Sequence, residues 1–145
     1  MTTRINLLAL ICSFPALAQA STTLQGVVLA ESPFAGAQVS VIDSAGQNMS
    51  TQTDSEGRYE IGIDSLTPPL TLSARAKGES EDCLHNNVVR ARCMASLVLS
   101  VNKDAINTAN ITPFSDRLVS EVAGELGYIG PQQWVERGKP GDLKP

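Results

Sequence analysis

The chain has 145 residues, with 11 Lys plus Arg against 15 Asp plus Glu, and a formal charge of −4. That size suits one domain, and the acidic balance with no basic run argues against nucleic acid and anionic membrane surfaces as partners. Aromatic residues make up only 4% of the chain, so any core must be built from Val, Ile, Leu and Ala.

Residues 1–20 read as a cleaved signal peptide. Arg4 supplies a positive start, Leu7 to Leu17 form a short apolar segment, and Ala18-Gln19-Ala20 is an A-x-A cleavage pattern ending before Ser21. The apolar segment is too short for a comfortable membrane span. Cys12 raises a lipid anchor, but Ile11 is not the small residue that a lipobox places before its cysteine. Cleavage leaves residues 21–145 with ten basic and fifteen acidic side chains, a formal charge of −5. No later stretch is long and apolar enough to insert, so the mature chain is expected outside the bilayer, in the periplasm or secreted.

Residues 24–63 hold four short apolar runs separated by turn clusters at Ser32-Pro33 to Gly36, Ser44-Ala45-Gly46 and Asp54-Ser55-Glu56-Gly57. That spacing predicts an antiparallel β-sandwich. Ala37, Val39 and Val41 fall on one face of a strand, and Tyr59, Ile61 and Ile63 on one face of another. Gly46 and Gly57 suit turns that need positive φ, and Asp43 and Asp54 suit side-chain closure of those turns.

The same stretch carries Gly26-Val27-Val28, then Ala35-Gly36-Ala37-x-Val39-x-Val41, then Thr53-Asp54-x-x-Gly57-x-Tyr59-x-Ile61. This pattern resembles the carboxypeptidase regulatory-like domain, over roughly residues 23–101. The resemblance implies a small transthyretin-like (prealbumin-like) sandwich that serves as an accessory module. It implies a fold role, and no catalytic one, for Gly26, Gly36, Thr53, Asp54, Gly57 and Tyr59.

After Pro68-Pro69, Leu70, Leu72, Ala74 and Ala76 alternate with Thr71, Ser73, Arg75 and Lys77, which predicts an amphipathic strand. Residues 78–82 form an acidic loop. Cys83 and Cys93 remain after cleavage and read as one disulfide in an exported chain, with ~3 kcal/mol expected from closing so short a loop. A redox or metal pair is the alternative, although no C-x-x-C is present and His85 is the only histidine. The segment between the cysteines carries no clear secondary-structure signal. Beyond it, Ala95, Leu97, Leu99 and Val101 alternate with Ser96, Val98 and Ser100. Residues 107–111 form either a last short strand or a connector. The total is six or seven strands, closing the sandwich at residue 111.

Residues 112–145 then change period and read as a helical extension with a loose tail. Thr112 fits an N-cap, Pro113 the first helical position, Asp116 the first turn and Gly127 the C-terminal cap. Phe114, Leu118, Val119, Val122 and Leu126 line one side of an amphipathic helix. Either that side packs on its own sandwich or covers a sheet edge, or it docks on a partner. The segment N-I-T-P-F-S-D-R-L-V resembles a junction in longer exported bacterial proteins, where a helical region follows such a sandwich. Trp134 either anchors the tail or offers a stacking surface to a ligand.

No catalytic set emerges. A Ser-His-Asp arrangement would need His85, and no G-x-S-x-G or phosphate-cradling glycine loop occurs. Asp54 with Glu56, or Glu79 with Glu81 and Asp82, supplies too few oxygens alone for calcium. The hydroxyisourate hydrolases of the transthyretin-like group carry several His and Arg residues and end in Y-R-G-S, whereas this chain ends G-D-L-K-P. The sequence therefore predicts a non-catalytic exported binding module for a protein or glycan, with neither cofactor nor metal. The alternative is an enzyme or enzyme subunit whose site forms at an oligomer interface around His85, Arg90 and Arg92.

Overall fold

The computed structural model describes residues 21–78, the backbone of 84–85 and 88–89, residues 93–128, and residues 131, 133 and 134. Ten elements follow in order: β1 (Thr23–Val27), β2 (Gln38–Ile42), β3 (Asn48–Gln52), β4 (Arg58–Gly62), β5 (Leu70–Arg75), β6 (Leu84–His85), β7 (Val88–Val89), β8 (Cys93–Val98), β9 (Ile106–Thr108) and α1 (Pro113–Glu125). Two sheets form the body, one in the order β4-β1-β9 and one in the order β3-β2-β5-β8. The expected mainly β sandwich with a C-terminal helix is the observed fold.

Alternation builds the core. Leu24 and Val28 from the β1 segment and Tyr59, Ile61 and Ile63 from the β4 segment face Val39, Val41, Leu70, Leu72 and Ala74 of the other sheet, all buried. Every one of these strand positions follows the period of two that the sequence shows.

Three features differ from the sequence reading. The pairing is not wholly antiparallel, because β9 lies parallel to β1, with Thr23 opposite Ile106 and Gln25 opposite Thr108. Short-range patterning cannot reveal this pair, since its strands lie some eighty residues apart in sequence. The segment without a clear signal forms a small antiparallel ribbon, β6 against β7. Two-residue strands are too short for a period to be visible.

The third concerns β8. Its main-core face is Met94, Ser96 and Val98, with Ser96 paired to Leu72. The more apolar alternate face, Ala95 and Leu97, belongs to a second cluster with Val119, Ala123 and Trp134. Strand β8 is thus covered on both sides, and a period of two cannot say which face meets which layer.

Helix α1 starts as its sequence predicts. The Thr112 hydroxyl accepts from the Ser115 N–H at 3.2 Å, while the Ser115 hydroxyl accepts from the Thr112 N–H at 2.9 Å. This is the reciprocal capping arrangement, with Ser in the place usually taken by Glu or Gln. The helix ends at Glu125 with Leu126, one residue before the expected Gly127, as its C-cap, and Gly127 follows at φ +85. Asp116 does more than favour the helix dipole. Its Oδ1 accepts from the Ala95 N–H at 2.8 Å, and the Ser115 hydroxyl donates to the Ala95 carbonyl at 2.8 Å. The first turn of α1 therefore occupies the outer hydrogen-bonding edge of β8, which protects an otherwise open strand.

Candidate functional site

The residues of the fold motif come together around the β3–β4 corner, and each is committed to architecture. The Thr53 hydroxyl accepts from the Ala37 N–H at 2.8 Å and donates to the Phe34 carbonyl, so it clamps the connection before β2. One oxygen of Asp54 accepts from the Glu56 and Arg58 N–H groups at 2.8 and 2.9 Å, closing the turn. Gly57 sits at φ +74, and a Cβ there would lie 2.7 Å from the Val28 carbonyl oxygen. The Tyr59 hydroxyl donates to the Ala109 carbonyl, and burial raises its pKa well above the ordinary tyrosine value. Gly26 makes room for that carbonyl, since a Cβ would fall 1.9 Å from its oxygen. Gly36, at φ +65, turns the chain into β2.

Asp43 plays a larger part than its turn position suggests. It is 1% exposed. One oxygen accepts from the Ala45 and Gln47 N–H groups at 2.9 and 2.7 Å, and the other reaches the Thr67 N–H at 3.0 Å. The carboxylate thus ties the β2–β3 turn to the connection before β5. Sequence reasoning found the turn but not the tie, because Thr67 is 24 residues away.

With these groups occupied, one gathering of exposed polar side chains lies on the outer face of the three-stranded sheet. Strand register places Glu60, Gln25 and Thr108 in one row across β4, β1 and β9. Arg58 and Val27 form the next row, with Asn110 beside Val27 through an Asn110 Oδ1 contact to the Val27 N–H at 3.0 Å. Thr51, Gln52 and Asp54 rise beside β4, and together these residues line a depression of about 470 Å³. Gln25, Gln52, Glu60, Thr108 and Asn110 are exposed within it. The Arg58 guanidinium is partnered by Glu56 at 2.6 Å, with both side chains largely in solvent. Sequence reasoning missed this site. The alternation around Tyr59 marks Arg58 and Glu60 as outward-facing, but only the pairing of β9 brings Thr108 and Asn110 alongside.

The other candidates are placed as follows. Val119 is buried against the four-stranded sheet, and Val122 and Leu126 pack beside it. Phe114 is 81% exposed and Leu118 51%, so the apolar side of α1 is divided between the sandwich and solvent. Trp134 is fully buried in the second cluster, which makes it an anchor of the tail segment. Cys93 is buried at the head of β8, whereas Cys83, the partner expected for it, lies outside the described residues. So do Ala18 and Ala20, Glu79, Glu81, Asp82, Arg90 and Arg92, and the side chain of His85; Ser21 is the first described residue and is exposed.

Among the described residues, no three or more His, Cys, Asp or Glu side chains are grouped as metal ligands. No described helix is long and apolar enough to cross a membrane. No protein-family model matches the chain, and no curated protein is significantly similar to it.

Proposed function

We propose that the chain is an exported, non-catalytic binding module of the carboxypeptidase regulatory-like kind, acting through the outer face of its three-stranded sheet. One observation carries the reading. The buried or motif-borne polar groups that sequence singles out (Asp43, Thr53, Asp54 and Tyr59) are engaged in holding turns and strands, while the outer face of the β4-β1-β9 sheet gathers exposed side chains in a depression. A site built on paired strands loses little conformational freedom when it binds. The two-sheet arrangement and the structural use of every motif residue support the resemblance, and the A-x-A pattern before Ser21 supports export.

The test is nuclear magnetic resonance of the isotopically labelled full chain, titrated with a set of sugars, anions, short peptides and fatty acids while turnover of each is followed. Saturable shifts confined to the amides of Gln25, Val27, Thr108 and Asn110, without turnover, are expected. Absence of shifts there with every class, or conversion of a probe, overturns the reading.

Export also implies the Cys83–Cys93 bridge. It is supported by the burial of Cys93 at the head of β8 and by the even pair of cysteines that cleavage leaves. Cys83→Ser is expected to cost ~3 kcal/mol and to lower Tm in non-reducing buffer; an unchanged Tm removes the bridge.

A further inference from the structure

The chemistry of the depression narrows what it takes. Resting on the binding reading above, we infer that its ligand is a neutral, hydroxyl-rich molecule, a short stretch of uncharged glycan.

Strand β1 forms the middle of the floor and is hydrogen-bonded on both sides, to β4 and to β9. Its backbone has no free edge for an added peptide strand, so recognition there falls to side chains. The exposed ones are the amides Gln25, Gln52 and Asn110, the hydroxyl of Thr108 and the carboxylate of Glu60, with the Asn110 Oδ1 already accepting from the Val27 N–H. An amide both donates and accepts, as does a hydroxyl, and a carboxylate accepts. A sugar hydroxyl also does both, so a row of such groups matches a row of these side chains. The row Glu60–Gln25–Thr108 is set by strand register, with neighbours about 4.8 Å apart.

Other ligand classes fit less well. Asp54 and Glu60 place two carboxylates in the lining against Arg58 alone, and Arg58 is already paired with Glu56. An anion would meet a surface of the wrong sign on a chain that is itself acidic. The apolar side chains of the lining are Val27 and the ring of Tyr59, and Tyr59 is buried, which leaves too little apolar area to hold a lipid chain. A metal ion would find only the carboxylates of Asp54 and Glu60 in the lining, too few oxygens for a hard cation, and no three ligating side chains are grouped among the described residues. The volume, about 470 Å³, falls within the roughly 300–1,000 Å³ usual for small-ligand sites. Such an open, wet surface must replace ordered water hydrogen bond for hydrogen bond, so affinity is modest.

The experiment uses the labelled full chain with maltotriose, cellotriose and triacetylchitotriose as neutral probes, and inorganic phosphate, citrate and trialanine as controls. At least one neutral trisaccharide is expected to shift the Gln25, Val27, Thr108 and Asn110 amides saturably. Gln25→Ala and Thr108→Ala should each weaken that binding by about tenfold, the equivalent of ~1.4 kcal/mol, while Leu118→Ser on the far side leaves it unchanged. Both altered positions are exposed, and the dispersion of the same spectra verifies that each variant is folded. If phosphate, citrate or trialanine shifts these amides and no neutral sugar does, the inference fails and the binding reading stands. If none of these probes shifts them, the inference fails, and the binding reading fails with it when a fatty acid leaves the same amides unmoved.

Discussion

The molecule has two apolar layers, and they are built to different standards. The layer between the sheets is mainly aliphatic and largely buried. Thr53, Asp43 and Tyr59 all border it, and each makes identified hydrogen bonds. The layer between the four-stranded sheet and α1 centres on Ala95, Val119, Ala123 and Trp134. Among the described residues it holds two buried polar atoms without hydrogen-bond partners, Thr71 Oγ1 and Trp134 Nε1. Register puts Thr71 between Ile42 and Leu97, both of which pack against this cluster, so the two unpaired atoms belong to the same layer. Buried polar groups are nearly always hydrogen-bonded, and leaving one unpaired costs roughly 1–3 kcal/mol. The inner layer therefore fixes the fold, and the outer layer fastens the C-terminal segment to it less tightly.

The sharpest way to break the comparison is Leu72→Ala. Leu72 is fully buried in the centre of the inner layer, and the truncation is expected to remove ~3 kcal/mol. Chemical denaturation should show one transition moved to lower denaturant, with protection from hydrogen exchange falling in both sheets. A loss confined to α1 would mean that the layers have been ranked the wrong way round.

Trp134→Ala comes next. The general cost of such a truncation is ~3–5 kcal/mol, but global stability should fall by only ~2 kcal/mol because the outer layer can release before the sheets part. Hydrogen exchange should accelerate in α1 and at Ala95, and not in β1, β2 or β4. Uniform acceleration would merge the two layers into one cooperative unit.

Tyr59→Phe tests the paired state of the inner layer. Loss of the bond to Ala109 should cost ~1 kcal/mol at neutral pH. The pH dependence has a definite sign. The folded pKa of Tyr59 is raised by burial, so the native state holds the phenolic proton more tightly than the unfolded chain. That contribution is complete below the unfolded value of about 10 and is lost as pH rises above it. The wild-type chain should therefore lose stability above about pH 10 more steeply than the Phe variant. Parallel curves would show that the phenol ionises freely in the native state.

The smallest effect has the opposite sign. Thr71→Val replaces an unpaired buried hydroxyl with a methyl group of similar shape and should stabilise the chain by about 1 kcal/mol. Calorimetry that shows destabilisation would mean that the Thr71 hydroxyl is satisfied in solution, for instance by a water shared with Trp134.

Much of this architecture was legible locally. The alternation of Val39 with Val41 and of Tyr59 with Ile61 gave the inner faces, because a strand repeats every two residues whatever surrounds it. Asp54, Gly57, Thr112 and Pro113 gave their turn and cap, because those preferences operate over three or four residues. Leu70 to Ala76 read as a half-buried strand, and the identity of Thr71 concealed that its other face is buried as well.

The candidate site was hardly legible at all. Gln25, Glu60 and Thr108 are ordinary polar residues in three separate segments, and nothing near each in sequence connects them. By itself the sequence determined the sandwich, its turns, the helix start and the acidic character of the chain, since each follows from local periodicity, backbone preference or charge. Only the tertiary structure decided that β9 runs parallel to β1, that Ala95 and Leu97 face the helix, and that Trp134 is buried. It also decided which polar residues share the outer sheet face. Those outcomes depend on pairings between distant segments, where the free energy comes from surfaces that meet only after the chain has folded.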